Sequence, residues 1–124
     1  MQTVEIPRHT WAGALNEFTR IHEGWLVSLD LLSPDLGAQL AIENLPLLGV
    51  SAERIDDDGT VSISAGSAAE RLTHTIHEPT RVSIERTEAG ADAALQIESG
   101  DGTTAILRFR VAALPETVDG VVPR

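Results

Sequence analysis

A chain of 124 residues, 42% of them apolar and none cysteine, can bury a core without staples, and it excludes disulfides, thiolate chemistry and cysteine-based metal sites. Nineteen acids face nine bases, all arginine, and the net charge of −10 repels phosphate backbones, so we expect no general nucleic-acid partner. Glu5, Pro7 and Arg8 interrupt the start where a signal peptide would be apolar, and no run approaches the ~20 apolar residues of a membrane span.

The composition therefore suggests a cytoplasmic protein with no membrane association, folded as a single domain over residues 1–124. Aromatic residues are limited to Trp11, Phe18, Trp25 and Phe109, so the core must be built from aliphatic side chains.

Taken in order, residues 1–6 read as a short lead-in. Pro7 suits a first helical turn, and Trp11, Leu15, Phe18 and Ile21 or His22 recur at helical spacing, which predicts a helix over about 7–22. Arg20 and His22 favour its negative end, and Gly24 is placed to stop it. Trp25, Val27, Leu29 and Leu31 then alternate with Leu26, Ser28, Asp30 and Leu32, a strand with one strongly apolar face. Ser33-Pro34-Asp35 and Gly37 mark a turn. Residues 39–44 lean to strand, and Pro46 breaks any central ladder, which makes this segment an edge or a bent strand.

Residues 48–55 and 60–65 read as a hairpin about Asp56-Asp57-Asp58-Gly59, followed by a small-residue loop and a short strand over 72–76. Glu78-Pro79 interrupts the pattern before a strand over 81–87 and a loop containing Gly90. Leu95, Ile97, Ala105, Leu107 and Phe109 then alternate on two arms around Ser99-Gly100-Asp101-Gly102. A three-residue loop over 100–102 sets Leu95 opposite Leu107 and Ile97 opposite Ala105, whereas a two-residue loop would mix the faces. Residues 111–124 read as an irregular tail. The expected fold is α+β: one N-terminal helix, then six or seven antiparallel strands in a strongly bent β-sheet or small β-barrel, the helix plugging or covering an open end.

Chemistry is harder to place. His74 and His77 lie three apart on a strand and so face opposite sides, which disfavours a shared metal. The Asp56 to Asp58 run lacks the ligand spacing of a calcium loop. No nucleophile elbow, phosphate loop or dinucleotide fingerprint is present, so we expect no catalytic residues, no cofactor and no metal. His22-Glu23-Gly24-Trp25 has the most varied chemistry, and its plainest reading is a helix end beside a core tryptophan. Arg108 and Arg110 are expected to pair with Glu85 or Glu98 across strands.

Several stretches carry a family resemblance: Ile6-Pro7-Arg8 with Trp11, His22-Glu23-Gly24-Trp25-Leu26-Val27, Leu72-Thr73-His74-Thr75-Ile76, Ala94-Leu95-Gln96-Ile97-Glu98-Ser99 and Leu107-Arg108-Phe109-Arg110. Together, from Val4 to about Val118, the chain resembles a bacterial family catalogued as domain of unknown function 5335. The resemblance implies a complete single domain and brings no catalytic residues. Functional expectations thus rest on the residues. The first is a non-catalytic module that binds a protein partner or forms a two-fold homodimer, since Leu26, Leu32, Leu36, Leu40, Leu45 and Leu47 lie outside the first strand's main face. The alternative is a small-ligand binder or enzyme with a pocket near His22, Glu23 and Trp25.

Overall fold

The computed structural model describes residues 2–55, 58–67 and 69–113. Strand β1 (Gln2–Ile6) leads through a 3-10 turn (Arg8–Thr10) into helix α1 (Trp11–His22). Seven strands follow: β2 (Leu26–Ser33), β3 (Gly37–Ile55), β4 (Asp58–Gly66), β5 (Arg71–His77), β6 (Pro79–Arg86), β7 (Asp92–Ser99) and β8 (Thr104–Ala113). They form one antiparallel, strongly curved sheet in the order β1-β6-β7-β8-β2-β3-β4-β5, which is α+β and does not close into a barrel. The expected lead-in is thus itself a strand, with Val4 opposite Ile84 and Ile6 opposite Val82. Sequence pattern misses it because five residues with one buried side chain carry little periodic signal.

The β7–β8 hairpin has the expected register: Leu95 faces Leu107, Ile97 faces Ala105, and Gly102 takes the positive φ of +90° that its three-residue loop requires. Strand β2 lies between β8 and β3, with Val27, Leu29 and Leu31 opposite Phe109, Leu107 and Ala105. The core gathers Val27, Leu29, Leu95, Ile97 and Leu107 from this part of the sheet against Val50, Val61 and Ile63 from β3 and β4.

Strand β3 does not stop at Pro46. Its residues 38–46 pair with β2, and residues 47–55 pair with β4 on the other side, so the proline sits where the strand changes partner. Two irregularities beside Ile42 bend the first half. Asn44 adopts φ +48° at one of them, and its N–H donates to Ser28 Oγ at 3.0 Å.

Helix α1 occupies the place that β2 vacates along the second half of β3. Trp11, Leu15, Phe18 and His22 form its buried stripe, and Trp11 Nε1–H donates to the Ile6 carbonyl at 2.9 Å. Thr19 Oγ1 donates to the Val50 carbonyl at 3.0 Å and accepts from the Val50 N–H at 2.9 Å, so one hydroxyl does the work of a missing strand neighbour. A Cβ at Gly49 would meet Thr19 Cγ2 at 3.3 Å, which explains the small residue there. The helix therefore lies along a strand rather than over an end of the sheet. It ends in a type II turn, with Glu23 at φ −59° and ψ 131°, Gly24 at φ +89°, and Trp25 N–H bonded to the His22 carbonyl at 3.0 Å.

Thr19→Val should cost about 1–3 kcal/mol, because it strands both main-chain groups of buried Val50, whereas Thr19→Ser should cost less than half as much. Urea denaturation of the two variants checks this.

Candidate functional site

The residues singled out by sequence come together only in part. His22 lies fully buried at the end of α1. Its ring is 4.5 Å from that of Phe18, 4.6 Å from Phe109 and 4.7 Å from Trp25, centroid to centroid. Nδ1 is 2.8 Å from the Phe18 carbonyl and Nε2 is 3.2 Å from Asp92 Oδ2. Both neighbours are acceptors, so only a ring protonated on both nitrogens can donate to both. Asp92, buried at the start of β7, also accepts from Arg86 Nε at 2.9 Å. The His22 hydrogen bond, with help from Arg86, holds the Asp92 carboxyl below its ordinary value. This chain ties the helix end to β6 and β7. Both ring nitrogens face acceptors, and the arrangement is a buried polar tie between the helix end and the sheet.

The other expected site residues do not converge on it. Trp25 and Leu26 are half-buried, Glu23 is exposed, and Leu32 is exposed on the far part of β2. Glu23 instead borders an open groove of about 500 Å³ between α1 and the sheet, with Arg20, Gly49, Ser62, Ser64 and Arg71. Of the six leucines expected on a second face, Leu47 is buried, Leu26 and Leu45 are half-buried, and Leu32, Leu36 and Leu40 are exposed. Arg108 pairs with Asp30 of β2 at 2.5 Å, rather than with Glu85 or Glu98, because β6 does not neighbour β8 and the β7–β8 register sets Ala94, not Glu98, opposite Arg108.

Sequence reasoning expected the strand β5, over 72–76, but missed its place at the edge of the sheet. It pairs with β4 from Thr60 opposite His77 to Gly66 opposite Arg71 with no irregularity. Bonds from Ser67 N–H to the Glu70 carbonyl (2.8 Å) and from Glu78 N–H to the Gly59 carbonyl (3.2 Å) fix the alternation of the ladder. In an antiparallel pair alternate residues exchange main-chain bonds, so Leu72, His74 and Ile76 bond to β4. The N–H and C=O groups of Arg71, Thr73, Thr75 and His77 point away from it, along the free edge of the sheet.

This edge is unlike the others. Strand β1 is five residues long and carries Glu5, and the free stretch of β3 is bent by two irregularities. Short length, charge and bulges are the usual protections of an edge. Strand β5 has seven residues, no proline, no acid and no bulge, and its one permanent charge is Arg71 at its first position. Beside it lies a cleft of about 390 Å³ with Leu31, Leu36, Ile76 and Ala105 among its apolar walls and Gln39 and His74 among its polar ones. Burial, and secondarily the nearby His77, pushes the His74 imidazole below its ordinary pKa. On the opposite face Thr73 bonds Ser64 at 2.9 Å and Thr75 bonds Ser62 at 3.3 Å, a hydroxyl ladder across two strands. Among the described residues no group of three His, Asp or Glu side chains is placed to hold a metal.

Asp92→Ala should destabilise the protein by roughly 1–3 kcal/mol at neutral pH, because it removes the buried acceptor that faces both His22 and Arg86. Since the folded-state pKa of Asp92 is depressed, its contribution is present above the ordinary carboxylate pKa and is lost as pH falls through the lower folded value. Denaturant midpoints of wild type and Asp92→Ala should therefore differ most near neutrality and converge in acid.

A family model described as a family of unknown function (DUF5335) matches residues 2–117. An uncharacterized protein of Aquifex aeolicus (strain VF5) is 28% identical over 117 residues, covering 94% of this chain and 100% of that protein. No solved structure gives a significant match. With a match across nearly its whole length, the chain belongs to the DUF5335 family of unknown function.

Proposed function

We propose that this protein is a non-catalytic interaction module that takes up an extended strand along β5. The single observation carrying the reading is the unprotected edge: four residues, Arg71, Thr73, Thr75 and His77, turn their main-chain donors and acceptors outward beside a cleft with apolar walls. Strand addition draws affinity from main-chain hydrogen bonds and specificity from pockets for alternate side chains, and both parts are in place here. The alternative of a ligand pocket at the helix end has less support, because His22 spends both ring nitrogens on the fold. No helix among the described residues is long and apolar enough to cross a membrane. Absence of cysteine and the charge of −10 favour a cytoplasmic role with protein rather than nucleic-acid partners, all within one domain.

Proline tests the reading cleanly. At Thr73 or Thr75 it removes an outward N–H while the bonds to β4, made by residues 72, 74 and 76, remain. Extended peptides selected from a display library against the wild-type protein should bind Thr73→Pro and Thr75→Pro about tenfold more weakly, for loss of one main-chain bond and the fit around it. Peptides that bind both variants as tightly as wild type would remove β5 as the docking strand.

A further inference from the structure

We propose that the strand taken up by β5 is β5 of a second copy, in a two-fold antiparallel pair centred on His74. This rests on the strand-addition reading and names its occupant. A two-fold axis at His74 sets residue 71 against 77, 72 against 76 and 73 against 75 of the other copy. The register is compatible with the ladder: the four outward residues of one copy meet the four outward residues of the other, giving about eight main-chain bonds. A register centred on residue 73 or 75 would leave part of each edge unpaired.

Side chains agree with the main chain. Leu72, 41% exposed, is one of the few large apolar side chains left at the surface. In this register it comes opposite Ile76 of the second copy, on the face of β5 that borders the cleft walled by Leu31, Leu36 and Ala105. The axis repeats this twice, so each copy's exposed leucine meets the other's apolar cleft. On the other face Thr73 comes opposite Thr75 of the second copy. The rows Ser64–Thr73 and Ser62–Thr75 then run on into each other, and the hydroxyl ladder crosses the interface unbroken.

Charge points the same way. Nineteen acids on 124 residues oppose most approaches of one copy to another. The sequence Arg-Leu-Thr-His-Thr-Ile-His of β5 carries none, so within the strand no carboxylate meets another, and the acids this register brings opposite each other are Glu70 and Glu78, just beyond its two ends. An isologous pair also consumes the edge on both copies and leaves nothing of β5 for open-ended growth.

The full chain should sediment at micromolar concentration with twice its mass of 13.2 kDa. Thr73→Pro, Thr75→Pro and Leu72→Asp should each weaken the dimer at least tenfold while leaving the circular dichroism spectrum unchanged. Because the chain has no cysteine, His74→Cys introduces a single thiol. Opposite residues at a non-hydrogen-bonded antiparallel pair lie ~4.5 Å apart at Cα, within disulfide reach. Mild oxidation should therefore cross-link His74→Cys into a covalent dimer and leave Leu40→Cys, on the free stretch of β3, monomeric on a denaturing gel. A wild-type monomer throughout the micromolar range would overturn the proposal, as would a dimer indifferent to both proline variants or one cross-linked by Leu40→Cys and not by His74→Cys. A monomer whose selected peptides still depend on Thr73 and Thr75 would overturn the second copy alone and leave strand addition standing. Peptides indifferent to both prolines would remove strand addition itself.

Discussion

The change of partner along β3 is the constraint on which the rest of the structure depends. One strand of 19 residues cannot stay flat against a single neighbour, since twist accumulates along it. Here the bend beside Ile42 and Asn44 lets residues 38–46 pair with β2, after which residues 47–55 pair with β4. That hand-over brings β4 and β5 round so that Val61, Ile63 and Ile76 join the core with Val27, Leu29 and Leu107. It also leaves one side of the second half of β3 without a strand. Helix α1 fills that place, and the Thr19 hydroxyl satisfies both main-chain groups of Val50.

With the helix set there, its last turn falls against β6, β7 and β8. The pocket holding His22 is walled by Phe18, Trp25 and Phe109, three of the four aromatic side chains in the chain. Two of the buried polar side chains, His22 and Asp92, meet here, and their polar atoms find partners in the Phe18 carbonyl, in Arg86 and in each other. Replacing such a tie by apolar groups could match its stability. What it adds is direction: the imidazole at the helix end has one buried carboxylate to meet, which fixes how the end of α1 lies on the sheet.

The same curvature that builds the core makes β5 the terminal strand of the sheet. A sheet of eight strands that does not close must end in two edges. One is the short, charged β1; the other is β5, regular and free of acids. Open regular edges attract other strands, and proteins usually guard them. The open edge, the cleft beside it and exposed Leu72 lie close together, and the proposed strand addition rests on their combination.

What the sequence determined by itself is local. The β7–β8 register is set by two alternating arms and a turn whose glycine position allows only one loop length, all within about fifteen residues. The end of α1, its buried stripe and the role of Gly24 follow equally from neighbours three and four apart, although the α-helix begins at Trp11, after a 3-10 turn, and not at residue 7. The tertiary structure decided what depends on distant partners. Gln2–Ile6 becomes a strand because β6, some eighty residues on, offers an edge. Asp92 meets His22 across seventy residues, with no spacing rule to announce it. Pro46 reads as a break, yet the chain passes through it, because a strand that changes partner at that point needs no ladder bond from the missing N–H. The outer edge is the extreme case: residues 72–76 read as one short strand among several, and only the order of the sheet leaves one side of β5 open among the described residues.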